Sequence, residues 1–130
     1  MSMSWNWLYV PYAANILILV PVCYHMIWGG GVGFVFEGKV TESEGLRLLV
    51  ASLWSAILFA SIAGFFFPSF LMPIIFAQVF YKAMWLITYS FPKWQTGGME
   101  AFPAGISWCF VLICLSYPVF VALHLAAKGN

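Results

Sequence analysis

The sequence contains no aspartate, and its only acidic residues are four glutamates. That shortage excludes the Ser/His/Asp arrangement of serine hydrolases, because nothing can supply the aspartate that orients the histidine. The metalloprotease signature H-E-x-x-H is also missing, and the glycines within 29–33 do not match the phosphate-binding pattern G-x-G-x-x-G. We therefore expect a protein that is not itself catalytic.

Charged residues of both signs are scarce. They make up 7% of the 130 residues, whereas hydrophobic residues make up 64%, and the mean hydropathy is +0.96. A soluble domain carries roughly a quarter charged residues, so most of the outer face of this chain must contact lipid. The net charge of +1 offers no basic field to nucleic acid. Composition thus predicts a single integral membrane domain over residues 1–130.

Cysteine is rare and badly placed for thiol chemistry. Cys23, Cys109 and Cys114 all lie in apolar segments, and no C-x-x-C motif occurs. A disulfide-shuttling enzyme needs thiols that a soluble partner can reach. These cysteines are more simply interpreted as small hydrophobic residues of a membrane interior.

Four apolar segments are long enough to cross a bilayer, which takes about 20 mostly apolar residues. They cover residues 12–32, 46–67, 73–91 and 105–126, which predicts an all-α, four-helix transmembrane bundle. Positions 1–6 hold no Lys or Arg, so the first segment is expected to be a span and not a signal peptide. Thr41-Glu42-Ser43-Glu44 has the form of a capping box and predicts a helix start near Glu42.

An even number of spans places both termini on one side of the membrane. The polar loops 36–47 and 92–104 then lie on the other side and carry Lys39, Arg47 and Lys93, whereas the terminal side carries Lys128. Because cytoplasmic loops are enriched in basic residues, we expect these two loops to be cytoplasmic.

Small residues recur every four positions along the second segment, at Ser52, Ala56, Ala60 and Gly64. Lipid is as apolar as leucine, so membrane helices associate mainly through close packing of such residues. The row predicts a helix-packing seam inside the bundle, with an oligomer interface as the alternative.

Lys82 lies near the middle of the third segment, roughly 13 Å of helix from either end. A lysine stem cannot span that distance to water, so Lys82 is expected to face the bundle interior, a wet cavity or a partner subunit. Gln78, Trp85 and Tyr89 fall on the same helical face. The alternatives are a structural lysine satisfied by amide, hydroxyl and carbonyl groups, or one that handles a ligand or protons.

His25 and Tyr24 in the first segment are expected at a similar depth, where they would join Lys82 and Gln78 in one ligand or partner pocket. No acidic residue lies within any span, so Lys82 is either neutral or meets an anion from outside the chain, such as a lipid phosphate, a quinone oxygen or a partner carboxylate. The identity of any cofactor stays open, with quinone or lipid as candidates. Haem is disfavoured because His25 and His124 fall at different depths.

Part of the chain resembles small four-helix membrane proteins of the DoxX-like kind. The likeness is carried by Ala63-Gly64-Phe65-Phe66-Phe67-Pro68 and by Gln78-Val79-Phe80-Tyr81-Lys82-Ala83-Met84-Trp85-Leu86. It covers about a third of the chain and implies a four-helix bundle that serves as an accessory or quinone-proximal subunit of an oxidoreductase complex. The resemblance transfers no catalytic residue.

Two functions follow from these features. The first is a non-catalytic accessory subunit that packs against other subunits of a larger redox or energy-converting membrane complex. The alternative is a stand-alone protein that binds a quinone or a lipid-like molecule in an intramembrane pocket.

Overall fold

The computed structural model describes residues 6–129, and every regular element in that range is helical. The elements are α1 (Tyr9–Ile27), α2 (Gly31–Phe36), α3 (Glu44–Gly64), α4 (Met72–Trp85), a π-helical segment (Leu86–Ser90), α5 (Phe91–Gly97), a 3₁₀ turn (Gly98–Glu100) and α6 (Ala104–Gly129). The predicted all-α fold class is confirmed. Residues 1–5 and 130 and the side chains of 31, 32, 34, 128 and 129 lie outside this description, so the expectation that rested on Lys128 does too.

Four helices have the length and apolar composition to cross a membrane. We call them spans one to four: Tyr9–Ile27, Glu44–Gly64, Met72–Glu100 and Ala104–Ala127. Their outward faces are apolar, and Leu17, Phe59, Phe80 and Leu112 are all exposed. Large apolar side chains on every side of the bundle suit lipid and not water. By length and composition the protein is a multi-pass, four-helix transmembrane bundle.

The bundle consists of two antiparallel helix pairs. α1 packs closely against α3, and α4 packs against α6, whereas contact between the pairs is sparser. One apolar cluster, which includes Cys23, Ala51 and Trp54, joins the pairs toward the α1–α3 connection. A second cluster, which includes Tyr12, Ile75 and Tyr117, joins them toward the α3–α4 turn. The sparse packing between these clusters leaves room for cavities.

The closest approach within the first pair is between Gly64 and Tyr12. A Cβ atom at position 64 would lie 2.6 Å from Cε2 of Tyr12. The Tyr12 hydroxyl donates a hydrogen bond to the carbonyl of Pro68 at 2.7 Å, so the ring is held against the glycine. Glycine is needed here because any side chain would occupy the space of the ring.

Only one member of the predicted small-residue row is buried. Gly64 faces α1, whereas Ala60 is half-buried and Ser52 and Ala56 are exposed. Residues four apart are offset by about 40° around an α-helix, so a strict four-residue row drifts off one face within three turns. The face that packs follows alternating steps of three and four and carries Ala51, Trp54, Leu58 and Ser61. The predicted seam along the whole row is therefore wrong, and close packing is limited to the Gly64 end.

The first two spans differ from their predicted boundaries. α1 begins at Tyr9 and ends at Ile27, before the glycines, and a separate helix α2 follows. α3 begins at Glu44 with Ser43 as its N-cap, and no side-chain hydrogen bond caps it. The predicted capping box is not formed, and Glu42 pairs instead with Arg47 at 3.0 Å.

The third span is longer than predicted, because residues 92–100 were expected to belong to a loop and are helical. The π-helical segment Leu86–Ser90 widens the helix just before Pro92, and Pro92 lies in the first turn of α5. In a regular α-helix a proline lacks the N–H for the carbonyl one turn before it, and its ring clashes with that carbonyl. The wider π turn thus allows the helix to pass the proline.

Candidate ligand-binding cavity

A cavity of about 230 Å³ lies between the two helix pairs. Apolar side chains from spans one, two and four form most of its wall, including Ile18, Trp54 and Phe110. Three polar side chains from inside the spans also line it: Asn15, Gln78 and Lys82. The cavity therefore joins an apolar space to a small polar group at membrane depth.

Lys82 is 4% exposed and faces the interior, as its depth in span three predicted. Its ammonium group donates hydrogen bonds to the hydroxyl of Tyr81 at 2.8 Å and to Oε1 of Gln78 at 3.3 Å. The nitrogen also lies 4.5 Å from the ring centre of Tyr81 and 4.8 Å from that of Phe110. Aromatic faces attract a cation, but none of these contacts supplies a negative charge.

Gln78 is 1% exposed, and its amide nitrogen Nε2 has no hydrogen-bond partner in the described part of the chain. The neighbouring ammonium group can only donate hydrogen bonds, so Gln78 must turn its oxygen toward Lys82. Its NH₂ group is then left without an acceptor. The cavity thus contains an unsatisfied buried donor beside a buried cation.

A salt bridge joins Arg47 to Glu42 outside the cavity, and none joins a described carboxylate to Lys82. Glu37 does line the cavity, but its Oε2 accepts a hydrogen bond from the backbone N–H of Gly105 at 2.7 Å. Phe110, which packs beside Lys82, lies five residues further along α6, a rise of about 7.5 Å. Glu37 therefore sits at one end of the cavity and forms no ion pair with Lys82.

The loop that carries Glu37 is conformationally constrained. Glu37 has a positive φ of 56°, and Gly38 follows with a φ of 70°. The left-handed region is unfavourable for glutamate, and such strain persists only where surrounding contacts enforce it. The bond to Gly105 is one such contact, because it places a carboxylate at the positive end of the α6 dipole.

Asn15, unlike Gln78, has hydrogen-bond partners at both its amide nitrogen and its amide oxygen. Its Nδ2 donates to the hydroxyl of Ser61 at 2.9 Å, and its Oδ1 accepts from the hydroxyl of Tyr117 at 2.7 Å. The Ser61 hydroxyl in turn donates to the carbonyl of Ile57 at 2.8 Å. This network, which we call the Asn15 network, ties spans one, two and four together. The network does not use the hydrogen-bond donors of Lys82 and Gln78.

The other residues predicted for the pocket lie elsewhere. Trp85 and Tyr89 stack at 5.3 Å and line a separate cleft near Arg47. The Arg47 guanidinium donates to the carbonyl of Met26 there. Tyr89 donates to the carbonyl of Lys39 at 3.4 Å. These contacts join span three to the α1–α3 connection.

Tyr24 and His25 do not line the cavity either. Tyr24 is exposed, and its ring contacts His25 and Trp28. Helix α2, which was not predicted, closes this end of the cavity instead. Its buried Val35 lines the cavity beside Val22. The cavity side of α1 runs through Asn15, Ile18, Leu19 and Val22. Of the six residues predicted for one pocket, the structure brings only Gln78 and Lys82 together in this cavity.

Sequence reasoning missed several residues of the site, namely Asn15, Glu37, Tyr81 and Phe110. Asn15 carried a usable signal, since it is the one amide inside the first apolar segment and polar groups at membrane depth face the interior. Tyr81 is the sequence neighbour of Lys82, and its contact was overlooked, whereas Glu37 and Phe110 depend on packing between distant segments. The histidines lie apart: His25 is near the end of α1, and the ring of His124 contacts the hydroxyl of Ser69 at 3.3 Å.

Comparisons with known proteins found no matching family model, curated protein or solved structure. The DoxX-like resemblance therefore stays a prediction. Within residues 6–129, no three His, Cys, Asp or Glu side chains lie close enough together to hold a metal ion.

Proposed function

We propose that this protein binds an amphiphilic molecule, a lipid-like compound or a quinone, in the cavity between its two helix pairs. The observation that carries the proposal is the pairing of a buried cation with an unsatisfied buried amide, Lys82 with Gln78, beside an open space. Polar groups buried in a membrane protein are costly and mark functional sites by default.

The energetics favour an occupant. An unsatisfied buried donor costs about 1–3 kcal/mol, and a charge inside a membrane helix costs several kcal/mol more. The neighbouring contacts of Lys82 are a hydroxyl, an amide oxygen and two rings, which offset only part of this cost. A ligand with a hydrogen-bond acceptor would satisfy both Lys82 and Gln78 at once.

The space also suits part of an amphiphile. An apolar cavity of about 150 Å³ binds a benzene molecule, so a cavity of about 230 Å³ can hold a single ring or a short stretch of chain. Its walls are mostly apolar, with the donors grouped at one place. Such a distribution is typical of sites that bury an apolar body and orient one polar end.

Mass spectrometry of the protein purified in mild detergent tests this proposal. We expect a small amphiphilic molecule to co-purify with the wild type and to be lost from Lys82→Met, which keeps the stem and removes the charge. The variant is expected to be as stable as the wild type or more stable, because it no longer buries a cation. Lys93→Met is the matched control, since Lys93 lies on the same span and outside the cavity. Equal retention by both variants, or an empty wild type, would contradict the proposal.

A second function is favoured by a separate observation. Ser52 and Ala56 are small and exposed on span two, and Ala56 lines an apolar cleft of about 560 Å³ between spans two and three with Ala77. A helix of another subunit can approach closely at small residues. We propose on this basis an accessory subunit of a larger membrane complex, redox or energy-converting. Subunits that co-purify with the wild type and are released by Ala56→Leu would support it, and a monodisperse monomer in both would oppose it.

For the orientation we propose that both termini share one side and that segments 36–47 and 92–104, the second of which is mostly helical, are at the cytoplasmic side. The bias of Lys39, Arg47 and Lys93 toward these segments supports it. The test uses single cysteines at Lys39 and Lys93 in a chain whose native cysteines are replaced by alanine. A membrane-impermeant maleimide should label both in inverted vesicles and not in intact cells, and a cysteine at Ser69 should behave in the opposite way. The reverse pattern would overturn the orientation.

A further inference from the structure

The buried hydrogen-bonding group that the cavity leaves without a partner, the amide nitrogen of Gln78, is a donor. Lys82 has three N–H donors and directs two of them at Tyr81 and Gln78. The two N–H donors of the Gln78 amide have no partner. The acceptor of Asn15 is already occupied by Tyr117. A complementary head group must therefore offer acceptors, and at least two of them if Lys82 and Gln78 are to be satisfied together.

A protonated Lys82 also brings a charge that no ion pair of the described residues balances. Glu37 is the acidic residue on the cavity wall. Its carboxylate accepts a hydrogen bond from the N–H of Gly105, at the end of the cavity away from Lys82. No carboxylate of residues 6–129 forms an ion pair with Lys82. A neutral acceptor such as a quinone oxygen would satisfy the donors and leave the positive charge in place. An anionic acceptor would satisfy the donors and also balance the charge.

Size limits which anion can reach this position. Lys82 lies between helix pairs at membrane depth, in a space of about 230 Å³. A phospholipid has two chains and a phosphate that stays in the headgroup layer, which lies outside the roughly 30 Å hydrocarbon core. A carboxylate is compact, follows a single chain, and has two oxygens that can accept from Lys82 and Gln78 at once.

We propose that the head group bound by Lys82 and Gln78 is a carboxylate, so that the ligand is a long-chain monocarboxylic acid. The inference rests on the proposed binding function and narrows it to one ligand class. The carboxylate accepts hydrogen bonds from the Lys82 ammonium group and the Gln78 NH₂, while the first part of the chain lies along the apolar wall formed by residues such as Ile18 and Phe110 and the rest extends out of the cavity.

The test compares three tritiated probes by scintillation proximity, with the protein in nanodiscs of neutral phosphatidylcholine: palmitate, hexadecanol and decylubiquinone. We expect the wild type to bind palmitate about ten- to a hundred-fold more tightly than hexadecanol, the range of a charge-assisted hydrogen bond. Lys82→Met should bring the palmitate affinity down to that of hexadecanol. Lys93→Met is again the control and should keep the wild-type preference.

Gln78→Glu is a second variant that keeps the test informative if Lys82→Met fails to fold. It is nearly isosteric and supplies Lys82 with an internal carboxylate, so the bundle should stay folded while the palmitate preference disappears. Equal wild-type affinity for palmitate and hexadecanol would overturn the inference. Tighter binding of decylubiquinone than of palmitate would overturn it and leave the proposed function standing. If none of the probes binds and the purified protein holds no small molecule, both fail.

Discussion

The interior of this bundle contains two polar groups that differ in one respect. In the Asn15 network, the amide of Asn15 and the hydroxyls of Ser61 and Tyr117 satisfy one another across three spans. In the Lys82 group, the cation has only neutral neighbours and the amide of Gln78 keeps an empty donor. Both groups lie at membrane depth and line the same cavity.

The difference separates a structural role from a binding role. A closed network rigidifies the elements that it joins, because breaking any bond leaves a costly buried partner. A buried polar group left open needs another explanation, since most such groups in native proteins are paired. The Asn15 network therefore accounts for how the spans are held together, and the Lys82 group is the one to which we assign the proposed ligand. The following substitutions test this division, from the largest expected effect to the smallest.

Gly64→Ala should have the largest effect on stability. The new Cβ would overlap the ring of Tyr12, whose hydroxyl is fixed to Pro68, so we expect a loss of about 3 kcal/mol through overpacking. Unfolding in mixed detergent micelles measures it. Gly45→Ala, in the same helix with nothing within 4 Å of the new atom, should be neutral or stabilising. Similar values for both would mean that the two helices are not in close contact at Gly64.

Asn15→Leu should destabilise the bundle by about 1–2 kcal/mol, the range for hydrogen bonds between membrane helices. The change removes the 2.7 Å bond from the Tyr117 hydroxyl, which keeps the carbonyl of Pro11 at 3.3 Å as its acceptor, and it also removes the bond to Ser61. The same unfolding assay applies. Because the Asn15 network is assigned a structural role, ligand retention per folded molecule should be unchanged. A stable variant that lost the ligand would reverse the assignment.

Gln78→Leu should change stability by less than about 1 kcal/mol. The substitution removes an unsatisfied donor, which is favourable, together with a long hydrogen bond of 3.3 Å to Lys82. A cost equal to that of Asn15→Leu would show that Gln78 is a structural residue, and the contrast between the two groups would then disappear.

Ala56→Leu should have the smallest effect on the isolated protein, within about 0.5 kcal/mol, because the residue is exposed. Thermal unfolding of the monomer measures this, and native gels measure association. A loss of several kcal/mol in the monomer would restore the original expectation of an internal seam along the whole row of small residues.

Much of the fold followed from composition and from the length of apolar segments, since these features depend on the solvent around the chain and not on its packing. Lys82 could be assigned to the interior for the same reason, because its stem is too short to reach water. Helix ends were less predictable. Pro92 suggested a loop, but the π-helical segment before it accommodates the ring, and no local pattern indicates where such a turn will form.

The site could be predicted only where both partners lie on one helix. Gln78 and Lys82 are four residues apart, so their contact follows from helical geometry. Which side chains of the other spans line the cavity depends on how each helix is rotated about its axis and on the position of α2. Val35 of α2 lies beside the end of α1, where His25 was expected to complete the pocket. Shape complementarity decides which side chains meet across two helices. In a mostly apolar sequence, many pairings look alike, so the sequence alone does not indicate which one forms.

The unequal lengths of the spans have a consequence for the surrounding bilayer. Span one has 19 residues and is about 28 Å long, whereas span three has 29 residues and is roughly 42 Å long. A hydrocarbon layer of about 30 Å fits the first and not the second. Span three must then tilt or extend into the headgroup layer, where Lys93 and Trp94 are side chains suited to that boundary. A thicker membrane would have to thin locally around span one, and each ångström of such hydrophobic mismatch costs a fraction of a kcal/mol. We therefore expect the bilayer to be thinner beside span one than beside span three.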